Sequence, residues 1–126
     1  MFEEIDPRNP VPLYDQIAAR IRLAVASGDL GEGDALPSVR QLAARLRINP
    51  ATVVQAYRAL EREGFVEMRQ GSGTYVRGVS SDRRRQTRED QAARLVRGVL
   101  TEAARLGIPG TEVARALQRE MGTRAP

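Results

Sequence analysis

Between Ser38 and Leu60 the chain encodes two short helices separated by three residues, and this pattern leaves it few folds to choose from. Ser38 followed by Gln41 has the spacing of a capping box, in which the hydroxyl meets the first-turn amides and the glutamine reaches back. Val39, Leu42, Ala43 and Leu46 then form one apolar stripe over a helix of about nine residues. Arg47, Ile48 and Asn49 make a tight turn. Asn49 is a good N-cap, and Pro50 suits the first helical position, where its missing N–H costs nothing. The next helix should run to about Glu63 and stop at Gly64. Val53, Ala56, Tyr57 and Leu60 give it a buried side, with Tyr57 expected in the core, and Ala51, Thr52 and Gln55 give its start an open one. A short helix, a turn and a second helix with a polar start form a helix-turn-helix, and the second helix is of a size to enter the major groove of DNA.

The flanks extend this unit. A preceding helix is marked by Pro12 near its start and by Leu13, Ile17, Ile21 and Val25, with Tyr14 also expected in the core and Gly28 as the stop after Ser27. Gly31 and Gly33 mark a loop, and Ala35 to Pro37 have room only for a short extended piece. Phe65 to Arg69 and Thr74 to Val76 read as strands joined by a turn over Gln70 to Gly73, a β-hairpin placed to act as a wing. Residues 78–87 are polar, include Arg83, Arg84 and Arg85, and read as a linker. Thr87 with Asp90 should open a fourth helix ended by Gly107, and a fifth should run from about Pro109 to Met121.

The expected fold class is therefore mainly α with a small β-hairpin. A winged helix-turn-helix domain occupies residues 1–77, an Arg-rich linker 78–87 and a helical tail 88–126. The tail carries a wide apolar stripe, with Leu95, Val96, Val99, Leu100, Ala103 and Leu106 on one helix and Val113 and Leu117 on the next. A two-helix hairpin cannot cover both of these faces by itself, so the expectation is a homodimer joined helix on helix.

Composition narrows the chemistry. The chain has neither Cys nor His, which excludes disulfides, Cys/His zinc sites and histidine acid–base catalysis. Neither a metal nor a cofactor is expected. Ser72 in the Gly71-Ser72-Gly73 turn has no His or Lys in the chain to activate it, and a nucleotide-binding glycine loop would open a helix instead of joining two strands. No apolar run approaches the roughly 20 residues that span a bilayer. The acidic Met1 to Asp6 stretch does not resemble a secretory leader, so the expected location is the cytoplasm.

Charge is informative only when located. The net charge is +4, and every basic residue is an arginine. Residues 1–76 hold nine arginines against ten acids, whereas residues 77–126 hold eleven against six. Yet from Ala35 to Leu60 there is no acid at all, and Arg40, Arg45, Arg47 and Arg58 lie inside that gap. Such a stretch is a candidate phosphate-facing stripe.

The run LPSVRQLAARLRINPATVVQAYRALEREGFVEMRQGSGTYV, with PLYDQIAARIRLAVASGDL before it, resembles the DNA-binding domain of the GntR family of bacterial regulators over about residues 10–77. The short tail, LTEAARLGIPGTEVARAL, is similar to that of the YtrA-type subfamily, whose members end in two dimerising helices. The resemblance implies that Arg40 clamps a phosphate or base, that Thr52 faces DNA from the recognition helix, and that Gln70 and Gly71 form a wing tip entering the minor groove. Some relatives carry an arginine two positions after the threonine, where this chain has Val54, so guanine readout from that position is lost.

Taken together, the candidate DNA-facing residues are Ser38, Arg40, Arg47, Asn49, Ala51, Thr52, Gln55, Arg58, Gln70, Gly71 and Ser72. The expected function is sequence-specific regulation of transcription, as a repressor on a pseudo-palindromic double-stranded operator. An unidentified small-molecule effector would have to bind at the dimer interface, because about 40 tail residues are too few to enclose a pocket in one chain. A winged-helix protein-interaction module is the alternative, but it would have no need of the acid-free stripe. An enzyme is disfavoured, since there is no lysine to hold pyridoxal phosphate as in the aminotransferase-like relatives.

Overall fold

Local capping sets the helix ends in the first part of the chain. The computed structural model describes residues 1–124. Helix α1 (Leu13–Ser27) follows Pro12 and ends where Gly28, at φ 88°, turns left-handed and donates its N–H to the Val25 carbonyl. Helix α2 (Val39–Leu46) opens with both halves of the capping box. The Gln41 N–H donates to Ser38 Oγ, and the Ser38 N–H donates to Gln41 Oε1, each at 3.0 Å. It closes on Arg47, the one described non-glycine residue with positive φ, at 56°. Helix α3 (Pro50–Arg62) is capped by Asn49, whose side-chain oxygen accepts from the Ala51 N–H at 2.9 Å.

Gly64, at φ 84°, lets the chain leave α3 and enter strand β1 (Val66–Arg69). Strand β2 (Gly73–Val76) returns antiparallel, pairing Val66 with Val76 and Arg69 with Gly73. The piece before α2 lies along β2 as a third extended segment. The Leu36 N–H donates to the Thr74 carbonyl at 2.9 Å, and the Val76 N–H donates to the Asp34 carbonyl at 2.8 Å.

The core collects the apolar sides of these elements. Ile17, Ile21, Leu42, Val53, Ala56, Tyr57, Leu60 and Val66 are wholly inaccessible to solvent. Val39, Leu46 and Tyr14 pack against this core from half-buried positions. Phe2 joins the core and Ile5 packs beside it, an addition from the polar N-terminal stretch that periodicity does not announce. The Gln16 side chain fastens that stretch, bonding the backbone of Asp6 in both directions and the Val11 carbonyl.

The chain divides into two compact units, Met1–Glu89 and a second beginning at Asp90. Here the expected linker needs correction. Helix α4 spans Ser81–Arg105, so it begins six residues before Thr87. Ser80 supplies the turn before it, accepting from the Arg83 N–H at 3.1 Å. Thr87 does not open the helix and is buried within it. The arginines read as linker are good helix formers, and two basic side chains of this segment are engaged with earlier elements of the first unit. Arg83 donates to the Glu63 carbonyl at the end of α3 and stacks on the Phe65 ring at 4.6 Å. Arg88 donates to the Ala26 carbonyl near the end of α1 at 2.9 Å. Glu63 also receives a two-pronged pair from Arg22, at 2.7 and 2.9 Å, so the C-terminal end of α3 is tied to α1 by its carboxylate and to α4 by its carbonyl.

In the second unit, Gly107, at φ 76°, separates α4 from helix α5 (Gly110–Arg124), which runs three residues past the expected Met121. Residues 125 and 126 of the expected tail lie outside the described residues.

Candidate nucleic-acid interface

Helix α3 buries one side and presents the other. Ala51, Gln55 and Arg58 are exposed, while Thr52 and Val54 are half-buried. Ala51, Val54, Gln55, Arg58 and Arg62 line one shallow depression along the helix, as spacings of three and four residues require. Val54 thus sits among the polar residues of this face as an apolar floor.

The start of α2 lies close to the wing. Ser38 and Val39 line a common depression with Met68 to Thr74, which includes Gln70, Gly71 and Ser72 at the exposed tip. Gly71 has φ 76°, and the Ser72 N–H closes the turn on the Arg69 carbonyl at 3.0 Å. Tyr57 fixes the approach to α2 from inside the core, as its hydroxyl donates to the Pro37 carbonyl at 2.7 Å. Burial pushes that hydroxyl well above the ordinary phenol range, so it stays protonated. Its place in the core is the one expected, and its hydroxyl serves the backbone.

The acid-free stretch has a structural counterpart. Arg40, Arg45, Arg47 and Arg58 are all exposed, and none forms a salt bridge among the described residues. The acids that follow are occupied elsewhere. Glu61 accepts from the Met68 N–H at 2.8 Å, Glu63 holds Arg22, and Glu67 lies 3.4 Å from Arg69. The surface of α2 and α3 therefore keeps uncompensated guanidinium groups, the arrangement that raises the local potential felt by an anion.

Three candidates carry an obligation already, Ser72 through the bond between its Oγ and the Tyr75 hydroxyl at 2.8 Å. The oxygens of Ser38 and Asn49 accept helix-capping bonds, which leaves the Ser38 hydroxyl hydrogen and the Asn49 amide as donors. The side chains of Arg40, Arg47 and Gln70 stand exposed with no such commitment among the described residues, and Gly71 is exposed beside them.

In the second unit, Leu95, Val96, Val99, Leu100 and Leu106 of α4 are exposed, Leu95 at 70%. Ala103 is buried in the middle of their stripe. Val113 is half-buried on α5 and Leu117 is exposed. No described helix is long and apolar enough to cross a membrane, and no group of three or more metal-type ligands occurs among the described residues.

Two features of this surface escaped the pattern of the sequence. Arg69 stacks on Tyr75, with its guanidinium carbon 4.5 Å from the ring centre. Arg83 is held at Glu63 and Phe65 instead of standing free. Cross-strand register would have offered Arg69 and Tyr75 as diagonal neighbours, but nothing in the sequence marks Arg83 as different from Arg84 and Arg85.

Comparison with known proteins now bears on this geometry. A family model described as bacterial regulatory proteins, gntR family, matches residues 13–76. The chain is 47% identical over 73 residues to the HTH-type transcriptional repressor YtrA of Bacillus subtilis (strain 168), a match covering 58% of this chain and 56% of that protein. The chain spans about half the length, or less, of the first curated relatives it matches. Among solved structures, it is similar to a GntR family transcriptional regulator from Listeria monocytogenes, with a TM-score of 0.66, 31% identity, and coverage of 90% of this chain and 97% of that one. It is also similar to YtrA from Sulfolobus acidocaldarius, a GntR-family transcription factor, with a TM-score of 0.58, 34% identity, and coverage of 74% and 98%. With a helix-turn-helix, a hairpin wing and this match over more than half its length, the chain belongs to the GntR family of bacterial regulatory proteins.

Proposed function

We propose that this protein is a sequence-specific DNA-binding regulator of transcription, a cytoplasmic repressor that grips a pseudo-palindromic operator as a homodimer. The observation that carries the reading is the face of α2 and α3, where four exposed arginines form no salt bridge among the described residues. Arg40, Arg47 and Arg58 would neutralise phosphates, giving affinity that falls as salt rises. Thr52 and Gln55, at the open start of α3, would supply donors and acceptors to base edges, and Ala51 and Val54 would supply apolar contact to a thymine methyl. Ser38 and Asn49 would donate to the backbone beside them. Gln70, Gly71 and Ser72 would reach the adjoining groove from the wing. The similarity to proteins described as transcriptional regulators and repressors supports the same reading.

In this reading, residues 1–77 form the DNA-binding module, and the part of α4 from residue 88 onward forms the dimerisation module together with α5. Leu95, Val96, Val99, Leu100, Ala103, Leu106, Val113 and Leu117 would pack against the same residues of a second copy. Half-sites in the operator would then mirror the two-fold axis of the dimer. The protein acts by binding and not by bond chemistry. Any effector would work by favouring one dimer geometry over another.

Arg40→Ala tests the arginine face. It is expected to weaken binding to a duplex that the wild-type protein protects from nuclease by about 1–3 kcal/mol. Arg40 is exposed and forms no salt bridge among the described residues, so the thermal midpoint should not move. Titration of labelled duplex by fluorescence anisotropy reads the loss, and unchanged affinity would remove Arg40 from the interface.

A further inference from the structure

The outward face of the wing carries a small assembly of Arg69 and Tyr75 beside Ser72 of the tip. Along β1, Val66 is buried and Met68 half-buried, while Glu67 and Arg69 face out. Along β2, Thr74 and Val76 are buried, which turns Tyr75 to the same outward face as Arg69. Register pairs Tyr75 with Glu67 and Arg69 with Gly73. The Arg69 guanidinium thus meets the Tyr75 ring diagonally and lies over it at 4.5 Å.

Tyr75 is held in turn. Its hydroxyl is 2.8 Å from Ser72 Oγ and 3.3 Å from the Ser72 carbonyl. The ring leans over the turn at position 73, a glycine whose φ of 142° L side chains rarely adopt, with the tyrosine hydroxyl and ring 3.6–3.7 Å from where a Cβ would stand. The Ser72 N–H returns to the Arg69 carbonyl, so tip, ring and guanidinium form a closed set. A guanidinium spread on an aromatic face keeps its in-plane N–H groups directed outward, the fork that matches a phosphate. Its acidic neighbour is weak competition. Glu67 is 3.4 Å away and both side chains are about half exposed, a pairing worth little in water.

We propose that Arg69 is a phosphate-binding residue of the wing, and that Tyr75 is its positioning residue, holding the guanidinium ready beside the tip formed by Gln70 to Ser72. The ligand is a phosphodiester of double-stranded DNA next to the groove the tip enters, so the inference rests on the DNA-binding reading above. A phosphate contact carries no sequence information, so Arg69 contributes affinity and register, leaving discrimination to α3.

The test uses the full chain and two labelled duplexes, one selected by the wild-type protein from a randomised pool and one of random sequence. Arg69→Ala should weaken both by roughly tenfold and make the plot of log affinity against log salt shallower by about one unit. Arg69→Lys should keep the slope. Tyr75→Leu should lose much of the same affinity, and the double variant should be no weaker than Arg69→Ala alone, as expected when one residue acts through the other. Thermal midpoints serve as the control, because a purely structural stack would shift stability and leave the salt slope alone. An Arg69→Ala variant with the wild-type slope, or additive losses in the double variant, would overturn the proposal. If the wild-type protein itself selects no sequence and shows no salt dependence, the DNA-binding reading fails first, and that outcome is distinct from the other two.

Discussion

Val96→Asp combined with Val99→Asp is expected to leave the protein monomeric and to weaken its hold on a duplex with two half-sites by on the order of 100-fold or more. Both valines are about half exposed in a stripe that continues through Leu95, Leu100 and Leu106. Along a helix these positions fall on one side, and a contiguous apolar surface of this kind marks an interaction site. Helix α5 leaves it open, since Leu117 and Met121 are also exposed, at 52% and 62%. Two carboxylates per copy at the centre of a helix-on-helix contact would be desolvated without partners, which the contact cannot sustain. The loss in affinity would come from separating two half-site readers, whose second binding step is intramolecular only while they are joined. Sedimentation and anisotropy titration read the two effects. A variant that still sediments as a dimer would move the dimer contact elsewhere on the chain.

Leu60→Ala carries the largest expected effect on folding, about 2–5 kcal/mol by urea denaturation. Leu60 is wholly buried where α3 leads through Gly64 into the wing. Truncation there leaves a cavity under the recognition helix that the surrounding packing can fill only in part. Its neighbours are constrained. The Phe65 N–H is bonded to the Leu60 carbonyl, and Glu63 is fixed by Arg22 and Arg83. A cost below about 1 kcal/mol would mean that the end of α3 relaxes more freely than these ties allow.

The helix-turn-helix was legible because its signals are local. A capping serine with a glutamine three residues on, an asparagine before a proline, and glycines at the exits act within one turn of chain. The start of α4 was not legible for the opposite reason. Its first turns are polar and basic, and they are stabilised in part by Arg83 and Arg88 reaching carbonyls far away in sequence. Arg22 shows the same limit. A charged residue inside the apolar stripe of α1 is buried only because Glu63, at the far end of α3, comes to meet it. The open face at the start of α3 followed from periodicity for Ala51 and Gln55, which are exposed, whereas Thr52 is half-buried. Composition was the poorer guide, since the acids of the first unit are numerous but form no salt bridge with Arg40, Arg45, Arg47 or Arg58 among the described residues.

The most direct measurement of the central claim is selection of duplexes from a randomised pool by the full-length protein, carried out at low and at moderate salt. The expected result is enrichment of an inverted repeat, with affinity falling steeply as salt rises and with Thr52→Ala or Gln55→Ala altering the preference within each half-site. A pool that stays random, or binding indifferent to salt, would contradict the assignment of α2, α3 and the wing to DNA.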